Sequence, residues 1–171
     1  MAENMPVFVE VWPLAADEKG IWLTSGDDAW RSTLAVPSDS EPHAEVELVL
    51  GAHGASQEAI LIHSTSWRVD GPRLILTYVA VLYAGEIVRN RWTDARPISL
   101  RLADAVGNPT PTAPTEPPIP RYIDVLMHGI RHLRFLMDND ATAANALRNP
   151  WPNHLGSLSP ALAGMYSEVH G

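Results

Sequence analysis

An α+β fold, with a mainly antiparallel sheet, one inserted helix, a proline-rich connector and C-terminal helices packed on one face, is predicted by three features of this 171-residue chain. Apolar residues alternate with period two through much of residues 1–108, the spacing of half-buried strands. Six prolines then fall within residues 109–120. Beyond Pro120 the apolar period becomes three and four residues, the spacing of one helix face. The resulting division is a β-rich core with one helix over 1–108, a connector over 109–120 and a helical segment of the same domain over 121–171.

In VFVEVW (7–12), Val7, Val9 and Val11 alternate with Phe8, Glu10 and Trp12, and Pro13 is expected to end the strand. GIWLTSG (20–26) supplies a second strand and completes an N-terminal hairpin. Residues 38–55 fit both periods. Helix is preferred because Ser40 can cap, Pro42 sits in the first turn where it loses no hydrogen bond, and Gly54 can close the end. Residues 59–67 and 73–83 form the strongest strand pair, and 86–92 with 97–103 extend the sheet. PTPTAPTEPPIP (109–120) is predicted to run as polyproline II at ~3.1 Å per residue; its PxxP spacings contain no Arg or Lys to orient an SH3-type partner.

Ile123, Leu126, Met127, Ile130, Leu133 and Met137 then form one apolar stripe of a long helix. Asp138, Asn139 and Asp140 break it, ATAANALR resumes helix, NPWP (149–152) stops it, and SLSPALAGMYSEVH makes a last short helix.

A net charge of −8 opposes phosphate backbones, so nucleic acid is an unfavoured partner. The absence of cysteine leaves metal binding to His, Asp and Glu. No leader-like segment and no run of 18 apolar residues occurs, which gives the expectation of a soluble cytoplasmic protein. No cofactor is expected.

The candidate chemistry lies in IHSTSWRVDGPR (62–73). A two-residue Asp70-Gly71 turn would set His63 opposite Tyr78, Thr65 opposite Leu76, Trp67 opposite Leu74 and Arg68 opposite Arg73. On that register His63, Thr65 and Trp67 share one face with Tyr78, while the arginines share the other. Two opposed arginines are unfavourable unless an anion or a nearby carboxylate relieves them. Trp67, Arg68, Arg73 and Tyr78 are therefore the ligand-binding candidates, and His63 with Thr65 the catalytic ones. His63-Ser64-Thr65-Ser66 resembles one His-x-Thr-x tetrad of the 2H phosphoesterases, which implies a histidine acting as general base. That chemistry needs two facing tetrads, and one occurs here. The magnesium-binding box of a Nudix hydrolase is missing, so only a degenerate relative would fit.

Asp124, His128 and His132 recur at steps of four, the spacing that lets imidazoles share a metal. Gly129 stands where a zincin would place its glutamate, and a solvated face opposite the apolar stripe is the ordinary expectation. Three functions follow in order: a non-enzymatic protein-interaction or accessory protein, with a protein partner or self-association; a module binding a small anionic or nucleotide-like ligand; and a phosphoester or pyrophosphate hydrolase using His63.

Overall fold

The computed structural model describes residues 4–83, 92–100, 122–162 and 164–165. The chain runs β1 (Val7–Asp17), β2 (Gly20–Leu23), β3 (Trp30–Arg31), α1 (Pro42–Ala52), β4 (Ala59–Asp70), β5 (Arg73–Leu82), β6 (Arg96–Pro97), α2 (Tyr122–Asn139), α3 (Ala141–Ala146), α4 (Trp151–Leu155) and β7 (Gly164–Met165). The strands form one sheet in the order β6-β2-β1-β5-β4-β7, with β3 also on β1. The β1–β5 and β4–β7 pairs are parallel and the others antiparallel. This is the expected α+β class with a mostly antiparallel sheet. The connector at 109–120, the proposed strand at 86–91 and the stretch 101–103 lie outside the described residues.

Alternation along the two central strands sorts the core into two layers. Trp12, Leu14, Val79 and Val81 point to one face and pack with Leu126, Met127, Ile130 and Leu133 of α2. Val9, Val11, Tyr78, Ala80 and Leu82 point to the other and pack with Val46, Val49 and Leu50 of α1. Both faces of the hairpin are thus covered by helix, which is why β5 reads as a nearly continuous apolar run.

β1 continues through Pro13 to Asp17, against the expected stop. The Pro13 carbonyl accepts from Thr24 N at 2.9 Å, so the missing N–H points to the outer side of β1. There the partner changes from β3 to β2, while on the other side the pairing with β5 runs through Pro13 and Ala80 without interruption. β2 ends at Leu23 rather than at residue 26. The 38–55 segment is helix, but its N-cap is Glu41, not Ser40. Its end is closed as expected: Gly54 has φ +69, its N–H reaches Gly51 O, and Ala55 N reaches Leu50 O, a Schellman arrangement.

The β4–β5 register differs from expectation. Asp70 pairs with Arg73, so the turn is Gly71-Pro72. An Asp70-Gly71 turn would have asked Pro72 to donate the closing hydrogen bond, and proline has no N–H. Gly71 takes φ +57 at the first central position, and the negative φ of proline suits the second. Two irregularities, at Ile60 and Thr65, then shift the pairing, and each flips the faces beyond it. Arg68 consequently faces Ile75, and His63 faces Val79.

Asp140 breaks the C-terminal helix by capping α3, its side chain accepting from Ala143 N at 2.8 Å. α3 ends at Ala146, just before NPWP, and Trp151 and Pro152 of that motif begin a separate short helix, α4. The described part of the tail is not helix either, since Gly164 and Met165 pair with Ser66 and Trp67 of β4. No helix among the described residues is long and apolar enough to cross a membrane.

Candidate functional site

Two polar clusters occupy the α2 side of the sheet, one on either side of the Thr65 bulge. The first depends on how closely α2 approaches the strands. A Cβ at Gly129 would lie 2.8 Å from Val79 Cγ1 and 3.7 Å from Thr65 Oγ1, so only glycine lets the helix sit this low. That approach carries His128 and His132, one turn apart, onto β4. His128 Nε2 is 3.1 Å from the Thr65 carbonyl. His132 Nε2 is 3.2 Å from His63 Nδ1, and its Nδ1 is 3.0 Å from the Ala161 carbonyl. His63 Nδ1 is also 2.9 Å from the Ser64 carbonyl.

Carbonyls only accept, so the partners assign the neutral tautomers: His128 carries its proton on Nε2 and His132 on Nδ1. His132 Nε2 then presents a lone pair, to which His63 Nδ1–H donates while sharing that proton with Ser64 O. Burial lowers the pKa of both His128 and His132 from 6.5. The Arg131 charge adds to the effect at His128, and His63 with His128 adds at His132, against the opposing pull of their backbone hydrogen bonds.

The second cluster surrounds Glu10, whose side chain is fully buried. Arg68 grips both carboxylate oxygens, Nη1 on Oε1 and Nη2 on Oε2 at 2.9 Å. Thr77 Oγ1 donates to Oε1 at 2.7 Å, and Arg31 Nε lies 3.4 Å from Oε2. Arg31 in turn holds Asp28 at 2.7 Å, which draws the Asp28 pKa below 3.8. Bidentate guanidinium contact and a full set of acceptor bonds are what a buried carboxylate requires.

The structure therefore brings together His63, Thr65, His128 and His132, drawn from two segments that sequence reasoning treated separately. It does not bring the ligand candidates together. Arg68 and Arg73 are not opposed; each has its own carboxylate, Glu10 for Arg68 and Asp70, at 3.0 Å, for Arg73. Arg73 also lies 5.7 Å from the Phe8 ring centroid. Trp67 and Tyr78 are on the α1 side. Trp67 is 39% exposed, and Tyr78 is buried, which pushes its hydroxyl pKa up from 10.0. Asp124 and His132 are buried rather than solvated, because α2 also packs against β4 and the C-terminal arm. Among the described residues no three His, Asp or Glu side chains converge as a metal site.

Glu10, Thr77, Arg31 and Gly129 were not anticipated. Glu10 carried a signal, being the one charge inside an otherwise apolar alternating strand. Gly129 carried another, as a glycine in mid-helix. A cleft of about 480 Å³ lies elsewhere, lined by Ile60, Leu82, Tyr83, Asn145, Arg148 and Trp151 among others, and includes none of the candidate residues. Chemically, the histidine cluster can hold neutral imidazoles on backbone carbonyls and take up protons, while the Glu10 cluster is a closed ion-pair network. In comparison with known proteins, no family model matches the chain and no curated protein is significantly similar to it.

Proposed function

We propose that the protein is a non-enzymatic interaction or accessory protein that docks a partner on the turn end of the β4–β5 hairpin, on the α1 side of the sheet. One observation supports this reading. The cross-strand rows Val9–Leu76–Trp67 and Val7–Leu74–Val69 continue the apolar face beyond the reach of α1. Trp67 and Val69 end these rows 39% and 56% exposed, with Met5 44% exposed nearby. A half-exposed tryptophan on an apolar row is the composition of an interface centre rather than of a solvated strand. The partner this fits is a protein surface with an apolar core, a second copy of the chain included.

The test is affinity purification from the native host together with the solution mass of the purified protein. Val69→Asp places a charge in the patch at an exposed position, where the fold tolerates it. The expected result is a specific companion, or a mass above one chain, that is lost in Val69→Asp. Companions and mass unchanged by Val69→Asp and Trp67→Ala would overturn the reading.

A second reading, hydrolysis with His63 as general base, draws support from the half-exposed His63 ring, whose Nδ1 is directed by Ser64 O and His132 while Nε2 is left for a substrate proton. It requires wild-type turnover of phosphoester or pyrophosphate substrates that His63→Ala abolishes with the fold intact. The anionic-ligand reading loses its support, since Arg68 and Arg73 are both ion-paired within the chain.

A further inference from the structure

Ala161 is tied to α2 at both of its backbone polar groups. Its N–H donates to the Arg131 carbonyl at 3.1 Å, and its carbonyl accepts from His132 Nδ1 at 3.0 Å. Shortly after, β7 adds to the outer edge of β4 at Ser66 and Trp67. Among the described residues the C-terminal arm is held by one backbone bond, one imidazole and a two-residue strand, and Leu162 beside them is 67% exposed. We infer that the His63–His132 pair is an acid-opened clasp, which holds Ala161 and β7 against α2 and β4 while the His132 ring is neutral and releases them when that ring is protonated.

The tautomers carry the argument. With Nδ1–H of His132 committed to Ala161, its Nε2 must accept, and it accepts from His63 Nδ1–H. A proton added to half-exposed His63 goes to its Nε2 and leaves that contact in place. A proton added to His132 goes to Nε2 and sets two N–H donors face to face across 3.2 Å. His63 cannot relieve this by turning its lone pair inward, because Nδ1 would then face the Ser64 carbonyl at 2.9 Å. The His132 ring must move away, and its bond to Ala161 goes with it.

Among the described residues the neighbouring groups do not compensate. His132 is faced by His63 from β4 and by His128 and Arg131 from its own helix, all cationic or neutral. The two carboxylates of α2 are distant along the axis: Asp138, about 9 Å away, is paired with Arg134, and Asp124 lies about 12 Å away. On the arm, Ala161 and Leu162 carry no charge. Burial of His132 works in the same direction and places the opening below pH 6.5.

This inference does not depend on a partner docking at Trp67, and its test uses the free protein. Amide hydrogen exchange at Ala161 and at the β4–β7 pairing, corrected for intrinsic pH dependence, is followed from about pH 7.5 to about pH 5. In the wild type, protection is expected to fall by about tenfold per pH unit in the acid limb, the signature of one proton taken up on opening. Protection at core positions such as Val79 and Ile130 stays high. In His63→Ala no donor opposes the protonated His132, so the arm remains protected in acid. In His132→Phe protection is low at every pH. Arm protection independent of pH in the wild type, or an identical acid loss in His63→Ala, would overturn the proposal.

Discussion

Glu10 and His132 are both buried polar side chains on the α2 side of the sheet, and they are accommodated by opposite means. Glu10 remains compatible with burial because charge meets charge, through a bidentate guanidinium, a threonine hydroxyl and a second arginine. His132 is compatible because it is neutral, with one nitrogen on a carbonyl and the other accepting from His63. The first solution is costly to break by mutation. The second is modest in energy and sensitive to a single proton.

The largest effect should come from separating the charges at Glu10. Arg68→Ala leaves a buried carboxylate with the Thr77 hydroxyl and, as cation, only the more distant Arg31, and a loss of about 3–5 kcal/mol is expected in urea unfolding. The double replacement Glu10→Met with Arg68→Met should cost much less than the two single changes added together, because no lone charge remains. Additive costs would show that the pair is not a unit.

Next in size is the seat of the imidazole cluster. Gly129→Ala drives a methyl group to 2.8 Å from Val79 Cγ1, a stiff β-branched side chain in the core. Although alanine is the better helix former, overpacking should dominate and lower stability by roughly 1–3 kcal/mol. An unchanged melting temperature would mean that α2 can rise from the sheet without loss.

A smaller and graded effect should follow pH. Folded His128 and His132 have pKa values below 6.5, so the unfolded chain binds more protons as pH falls through that value. Stability is then complete above pH 6.5 and declines below it. The Asp28 carboxylate, held low by Arg31, is paired above its ordinary 3.8 and loses that contribution only in stronger acid. Chemical unfolding at a series of pH values should resolve these as two phases, and His132→Gln should flatten the milder one. A single acid transition below about pH 4 would contradict the difference between the clusters.

The smallest effect is expected at the turn. The Arg73–Asp70 pair is exposed on both sides, so Arg73→Ala should change stability by under about 1 kcal/mol. A larger loss would assign real weight to its contact with Phe8.

Much of the fold is legible in local pattern. The alternating run at Val7–Val11, the nearly continuous apolar run at Leu74–Leu82 and the stripe from Ile123 to Met137 mark elements whose buried faces must be apolar wherever they end up. Boundaries were less legible where a single residue has two compatible roles. Pro13 ends a strand only if its N–H side is paired, and nothing local says which side that is. The turn was decidable in principle: Pro72 cannot close an Asp70-Gly71 hairpin, so the register of Arg68 and Arg73 followed from one missing hydrogen. The bulge at Thr65 was not decidable, since it reflects the fit of β4 to β5 and α2 together.

What the sequence determines by itself is the α+β class, the helix at Pro42–Ala52 with its glycine close, the long amphipathic helix after Pro120, and an acidic chain without thiol chemistry. These follow from composition and from periodicities that the backbone imposes within a dozen residues. Only the tertiary structure decides that Arg68 belongs to Glu10 across 58 positions, that His63 meets His132 across 69, and that Gly129 is where α2 comes down on Val79 and Thr65. Such pairings depend on a register set by one proline, a bulge and the height of a helix above a sheet, and no single stretch of sequence carries all three.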